Sequence, residues 1–74
     1  MTFKIAQTFN GERLRQARLA KNMTTRDLAE KLGVNCSLVS RWESGKNKPH
    51  KDSVAAMAKI LKIKVRDLDE VEAN

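Results

Sequence analysis

Features of secreted, membrane-spanning and metal-binding proteins are scarce in this chain of 74 residues. Its single cysteine, Cys36, cannot form an internal disulfide, so a reducing cytoplasm is the expected compartment. No apolar run approaches the roughly 20 residues that a membrane-spanning helix needs, and no secretion signal is visible near the N-terminus. With 41% apolar and 32% charged residues, the composition instead fits one small soluble domain.

Acidic residues are also scarce over most of the chain. Residues 1–66 hold all 15 lysines and arginines but only five of the nine acidic residues. The other four acidic residues lie in residues 67–74, which include no basic residue. A basic body favours a polyanionic partner such as nucleic acid, although solubility alone explains a net charge of +6 equally well.

The spacing of apolar residues, together with residues typical of helix ends, predicts an all-α fold of five short helices. Asn10 can cap the first helix, and Asn22 can end it in a left-handed conformation. Thr24 and Asp27 are close to a capping box for the second helix, which Gly33 ends. The remaining helices are predicted over residues 36–44, over about 51–61, and over a short segment containing Ile63, Val65 and Leu68.

These helices place one domain over residues 10–70. Residues 1–9 precede it as an N-terminal arm, either a short strand or a segment lying on the core, because Phe3, Ile5 and Phe9 alternate loosely. Residues 71–74 follow it as a short acidic tail. The sequence contains no internal repeat, low-complexity segment or interdomain linker.

The stretch TRDLAEKLGVNCSLVSRWES, residues 25–44, has the pattern of two helices joined by a tight turn. Ala29 is small where the following helix must cross closely, and Gly33 readily adopts a positive φ. A generic helical hairpin would combine these features only rarely, so the sequence predicts a helix-turn-helix. The side chains expected to fill the angle between the two helices are Leu28, Leu32, Val34, Val39 and Trp42.

Through the segments GERLRQAR, LAEKLGV and VSRWESGKNKP, the chain resembles the Xre-like, or phage-repressor, helix-turn-helix family. The resemblance covers roughly residues 10–68. It implies a compact five-helix, lambda-repressor-like domain that binds a near-palindromic operator in double-stranded DNA as a homodimer, on half-sites about 10 base pairs apart. We therefore interpret the protein as a sequence-specific transcriptional regulator, a bacterial or phage repressor acting at the nucleoid.

The resemblance also implies roles for particular side chains. The helix over residues 36–44 would enter the major groove, where Arg41 can bond a guanine through two guanidinium nitrogens. Arg18 and Glu43 lie where the family often places an internal ion pair. The implied base contacts are Cys36, Ser37, Ser40 and Arg41, and the implied phosphate contacts are Thr25, Lys46, Asn47 and Lys48.

Four positions depart from the family pattern. Thr25 stands where a glutamine is common, and it is too short to bridge a phosphate and the third helix. Cys36 stands where an arginine or glutamine is frequent, and a thiol is a weak hydrogen-bonding group. Lys62 replaces a frequent glycine at a helix end, and His50 replaces a better capping residue. The departures at Cys36 and Thr25 predict weaker base recognition at Cys36 and a smaller contribution of the second helix to base recognition.

Two other classes of protein fit the same residues. An antitoxin or adaptor would use the fold mainly to hold a protein partner, and a larger regulator would carry it as a DNA-binding head. Cys36 and His50 are too few for structural zinc, which takes about four ligands. The sequence has no HExxH motif, nucleophile elbow or paired-carboxylate arrangement. It therefore predicts no enzyme, no cofactor and no membrane partner.

Overall fold

The computed structural model describes residues 9–69, and these form four α-helices and one 3₁₀ turn. The elements are α1 (Gly11–Ala20), α2 (Thr25–Leu32), α3 (Cys36–Ser44), α4 (Lys51–Leu61) and the 3₁₀ turn (Val65–Leu68). Within the described range there is no β-strand, only an isolated antiparallel bridge between Phe9 and Asp69. The all-α class is therefore confirmed for these residues, whereas residues 1–8 of the predicted arm and the acidic tail lie outside them.

The predicted fifth helix is a four-residue 3₁₀ turn rather than an α-helix. The Asp67 carboxylate accepts a hydrogen bond from the Lys64 N–H at 3.0 Å, and the Asp67 N–H donates to the Lys64 carbonyl at 2.9 Å. These bonds close a tight turn from Lys64 to Asp67. The Asn10 N–H then donates to the Leu68 carbonyl at 2.8 Å, which holds the chain extended beyond the turn.

The predicted caps of the first two helices are present. The Asn10 side-chain oxygen accepts from the backbone N–H groups of Glu12 and Arg13 at 2.9 and 3.2 Å. Thr24 and Asp27 form the reciprocal bonds of a capping box, at 3.0 and 2.9 Å. Both helices therefore begin where the sequence predicts. By contrast, neither Asn35 before α3 nor His50 before α4 makes a side-chain capping bond.

Left-handed backbone conformations end the helices. Gly33 and Gly45 follow α2 and α3 with φ of 75° and 85°, and Asn22 lies after α1 with φ of 58°. Lys62 takes the same conformation after α4, with φ of 58°, and its turn closes through an Ile63 N–H bond to the Ala58 carbonyl at 2.9 Å. The predicted turn therefore forms at Lys62 without glycine, and the side chain costs about 1–2 kcal/mol there.

All five elements contribute side chains to one core, and α3 packs against both α1 and α2. Trp42 is only 4% exposed, which confirms its predicted role in packing between the helices. Burial of this apolar surface fixes the orientation of α3 relative to the other helices. The buried apolar residues are Leu14, Leu28, Ala29, Val39, Trp42, Val54, Met57, Ala58, Leu61 and Leu68.

The start of α1 lies directly against the end of α3. A Cβ atom at Gly11 would overlap the carbonyl oxygen of Trp42 and lie 2.5 Å from the carbonyl oxygen of Glu43. Because real Cβ contacts are never that short, only glycine fits here without displacing a helix. Gly11 thus sets how closely α1 approaches α3.

Candidate nucleic-acid interface

The helix-turn-helix predicted over residues 25–44 is present as α2, a three-residue turn and α3. Gly33 adopts its left-handed conformation in the turn, and the Val34 N–H donates to the Ala29 carbonyl at 3.0 Å. Ala29 is 2% exposed, while Leu28 and Val39 are completely buried. The turn and the burial of these three side chains hold α3 against α2, so that the other face of α3 is presented to solvent.

Three of the four predicted base-contacting residues share the exposed face of α3. Ser37, Ser40 and Arg41 are all exposed and follow the i, i+3, i+4 spacing of one helix face. Within residues 9–69, no carboxylate lies within 4.0 Å of the Arg41 guanidinium. Its five N–H donors are therefore not committed to an ion pair with any of these residues, and the planar group has the geometry to bind a pair of acceptors.

Cys36 differs from these three residues. It is half-buried and packs against the hydrophobic core, as Leu38 does. A thiol in that position presents only part of its surface to solvent and is a weak hydrogen-bonding group. Cys36 is therefore less accessible to an external group than Ser37, Ser40 or Arg41.

The Arg41 carbonyl oxygen connects α3 to the loop that follows it. The Arg41 carbonyl oxygen accepts from the backbone N–H groups of Lys46 and Asn47 at 2.9 and 3.3 Å, and from the Ser44 hydroxyl at 3.2 Å. Lys46 and Lys48 are exposed, whereas Asn47 is half-buried. These bonds hold the backbone of Lys46 beside the C-terminal end of the helix that carries Arg41, and Lys48 follows two residues later.

Thr25 is the first residue of α2 and is half-buried. The capping box occupies the Thr24 and Asp27 N–H groups, so those of Thr25 and Arg26 face the open end of the helix. Hydrogen bonds from the Thr24 backbone and hydroxyl lower the pKa of the Asp27 carboxyl below its ordinary value of 3.8. Sequence reasoning overlooked Arg26, although its position beside Thr25 places a cation in the first turn of α2.

A buried ion pair connects α1 to α3. The Arg18 guanidinium donates from Nε to the Glu43 Oε2 at 2.7 Å and from Nη2 to Oε1 at 3.2 Å. Its Nη1 donates to the Met23 carbonyl oxygen at 2.6 Å, in the turn before α2. One side chain therefore links three parts of the chain behind the exposed face of α3. The Met23 carbonyl was not predictable as a partner, because spacing carries no signal for a turn carbonyl.

The described residues form neither a cluster of metal-binding side chains nor a membrane-spanning helix. Between residues 9 and 69, no three His, Cys, Asp or Glu side chains lie close enough together to hold a metal ion. No helix in the same range is long and apolar enough to cross a membrane.

Comparison with known proteins identifies the family. The helix-turn-helix family model matches residues 14–68. Among solved structures, the restriction-modification controller protein C.AhdI from Aeromonas hydrophila is 33% identical with a TM-score of 0.74, over 78% of this chain and 88% of that one. The P22 c2 repressor, solved with a synthetic operator, is 28% identical with a TM-score of 0.74, over 78% and 88% of the two chains. The chain belongs to the helix-turn-helix family of the Xre-like, phage-repressor type.

The chain is also similar to part of a longer curated protein. The HTH-type transcriptional activator BcrR of Enterococcus faecalis is 39% identical over 57 residues, which is 77% of this chain. The matched region is 28% of BcrR and 36% of a second curated relative. The chain thus spans about a third of the length of the curated relatives that it matches.

Proposed function

We propose that this protein is a sequence-specific, double-stranded DNA-binding transcriptional regulator that reads the major groove with α3. The observation that carries the proposal is the exposed face of α3. It presents Ser37, Ser40 and an Arg41 guanidinium without an internal ion pair in the described range, next to the exposed Lys46 and Lys48. A rigid helix with hydrogen-bonding side chains on one face and cations at its end suits a groove lined by phosphates.

Two kinds of contact would contribute to binding, one to affinity and the other to sequence preference. Lys46 and Lys48 would neutralise phosphates and release counterions, which supplies affinity without sequence preference. Arg41 would bond the O6 and N7 atoms of a guanine, a contact that discriminates between base pairs. Ser37 and Ser40 would add less selective hydrogen bonds, and Thr25 would place its hydroxyl and backbone N–H on a phosphate at the start of α2. No chemical step is part of this function.

Relatives support a role in transcription. The P22 c2 repressor was solved on an operator, and BcrR is named a transcriptional activator. We propose repression for this protein, because occupancy of an operator that overlaps a promoter needs no contact beyond those of the DNA-binding domain. A reporter gene behind the selected operator would give lower expression with the protein than without it, and higher expression would overturn this part of the proposal.

A single α3 reads too few base pairs for tight, specific binding. We therefore propose that two copies bind a near-palindromic operator, with half-sites about one helical turn apart. This arrangement doubles the number of base and phosphate contacts. It also makes the spacing of the two half-sites a property that can be measured.

Selection from random duplex DNA at near-physiological salt tests the proposal. The expected product is a two-fold motif with half-sites about 10 base pairs apart, bound at least about a thousandfold more tightly than scrambled duplex. Weak binding that is equal on all sequences and abolished by salt would contradict it. That result would favour the antitoxin or adaptor alternative, in which the same fold mainly holds a protein partner.

A further inference from the structure

Asn35 directly precedes α3 and is exposed, yet its side chain makes no capping bond to that helix. Asn10 occupies the same position before α1, and its side-chain oxygen accepts from the N–H groups of Glu12 and Arg13 at 2.9 and 3.2 Å. Both asparagines have the extended backbone of a capping residue. The same residue type is therefore committed to the fold at the start of α1 and is not committed to it at the start of α3.

The first turn of α3 forms without the Asn35 amide. The Leu38 N–H, a usual partner of a capping side chain, donates to the Asn35 backbone carbonyl at 3.0 Å. In the part of the chain that the structure describes, the oxygen and the NH₂ group of this amide are therefore not used to start the helix. An exposed amide of this kind offers an acceptor and donors side by side.

The amide lies at the end of α3 rather than along one of its sides. Because the Asn35 backbone is extended, the helical period does not place its side chain on the buried face that carries Val39 and Trp42. Cys36 is half-buried against the core, so Asn35 and Ser37 provide the exposed side chains at this end of the helix. The N-terminal residues of a recognition helix are those that contact base edges.

The donor and acceptor pattern of an amide matches one base in the major groove. Adenine presents its N7 acceptor beside its N6 donor, and an asparagine amide can bond both at once. Guanine presents two acceptors there, thymine presents an acceptor and a methyl group, and cytosine presents a donor. None of these three bases uses both groups of the amide. A hydroxyl such as that of Ser37 can bond a donor or an acceptor and discriminates less.

We propose that Asn35 reads an adenine through its side-chain amide, and so sets a base preference at the N-terminal end of α3. This inference rests on the proposed function, because the amide meets a base only if α3 enters the major groove. Arg41 lies six residues after Asn35, which is about 9 Å along a helix axis. Since base pairs are stacked about 3.4 Å apart, the adenine lies about two or three base pairs from the guanine that Arg41 reads.

Selection from random duplex DNA, run in parallel with the natural chain and its variants, tests this assignment. Asn35→Ala should recover the motif without the adenine, and it should bind the natural operator about tenfold more weakly. Asn35→Asp should exchange the adenine for a cytosine, because a carboxylate only accepts and the cytosine N4 group donates. Gln16→Ala is the matched control, since it removes a surface amide from α1. It should keep the motif and change the affinity less than about twofold.

A change in the DNA tests the same contact from the other side. Replacing the selected adenine by 7-deazaadenine removes its N7 acceptor, and this should weaken binding of the natural chain about fivefold or more. Asn35→Ala lacks the amide and should bind the natural and the modified operators within about twofold of each other. The same replacement outside the two half-sites should affect neither protein.

Thermal unfolding separates base reading from a structural role. Asn10→Ala removes a cap and should lower the melting temperature by about 4–8 °C. Asn35→Ala should lower it by less than about 2 °C, because the Asn35 side chain makes no capping bond. If Asn35→Ala folds poorly, Asn35→Ser removes the amide while supplying a good helix cap. Its selected motif should also lack the adenine.

The possible outcomes separate this inference from the proposed function. One motif shared by the natural chain, Asn35→Ala and Asn35→Ser would overturn the Asn35 assignment and leave the proposed function standing. The same holds for a natural motif without an adenine two or three base pairs from the guanine, and for equal losses on 7-deazaadenine in the natural chain and Asn35→Ala. A natural chain that recovers no motif would overturn the proposed function, and the Asn35 assignment with it.

Discussion

Arg18 and Glu43 face each other in a two-pronged ion pair, with Nε–Oε2 and Nη2–Oε1 distances of 2.7 and 3.2 Å, and each side chain is only 9% exposed. The Nη1 atom of the same guanidinium donates to the Met23 carbonyl oxygen. Because α3 carries the proposed base-reading face, this pair fixes that face relative to α1. The ion pair therefore stabilises the folded protein and also sets the position of the proposed base-reading face.

Arg18→Ala should lower the free energy of unfolding by about 3–5 kcal/mol, because the Glu43 carboxylate would be left buried without its cation. Denaturant unfolding followed by circular dichroism measures this loss. Arg15→Ala on the same helix is the control, because Arg15 lies 3.8 Å from Glu12 at the surface, with the two side chains 52% and 60% exposed. It should cost only about 0–1 kcal/mol, and similar losses in both variants would contradict a structural role for the buried pair.

Gly11→Ala should lower stability by about 1–3 kcal/mol, even though alanine favours helix by about 1 kcal/mol. The new Cβ atom would push α1 away from the Trp42 and Glu43 carbonyls. Fluorescence of Trp42, the one tryptophan of the chain, should shift in the folded state. Gly33→Ala serves for comparison, because its φ of 75° strains the backbone while the space around it is open. It should lose stability without changing the native emission, and an unchanged emission in Gly11→Ala would refute the close approach.

Local signals made much of the fold predictable from the sequence. A cap such as Asn10 or Thr24 acts on N–H groups within three residues of itself, and Gly33 ends a helix through its own backbone. The periodic burial of Val39 and Trp42 likewise places Arg41 on the opposite face of α3. These features depend little on the rest of the chain, which is why they could be predicted.

Features set by tertiary contacts could not be predicted. The backbone after the 3₁₀ turn is held by the bond from the Asn10 N–H to the Leu68 carbonyl, which joins the two ends of the described chain. The half-burial of Cys36 depends on how separate helices meet. The close approach at Gly11 is the exception. Because glycine is a poor helix former, its presence in the first turn of α1 already indicated a special packing requirement.

Asp27→Asn should reduce stability more at pH 5 than at pH 3. The pKa of Asp27 is lowered in the folded protein by the Thr24 hydrogen bonds, so near pH 3.8 the unfolded chain binds more protons than the folded one. The stabilisation by the Asp27 carboxylate is therefore complete above its ordinary pKa of 3.8. It is lost as the pH falls through the lowered pKa that Asp27 has in the folded protein. Melting temperatures of both proteins at the two pH values measure the effect. An equal difference at pH 3 and pH 5 would show that the carboxylate does not stabilise the start of α2.

Arg41→Ala should weaken binding to the selected operator by about 1–3 kcal/mol and relax the preference at one base pair. Arg41→Lys should lose most of the same preference, because an ammonium cannot reproduce the two parallel bonds of a guanidinium. Arg66→Ala removes an equal charge from the 3₁₀ turn and is the matched control. Competition binding against every single-base variant of the operator measures the effect. If Arg41→Ala weakens binding equally on every sequence, Arg41 contacts a phosphate and the base-reading assignment is wrong.

Lys46→Ala should reduce the slope of log affinity against log salt by about one unit, while the order of preferred sequences stays the same. The physical reason is that Lys46, held beside α3 by its N–H bond to the Arg41 carbonyl, would displace one counterion from the DNA. Lys59→Ala removes the same charge from the last turn of α4, outside the proposed interface, and should leave the slope unchanged. Titrations of the operator at several salt concentrations give both slopes. Equal slopes for the natural chain and Lys46→Ala would show that this lysine is not in the interface. Equal reductions in Lys46→Ala and Lys59→Ala would mean that the slope reports the total charge rather than a specific phosphate contact.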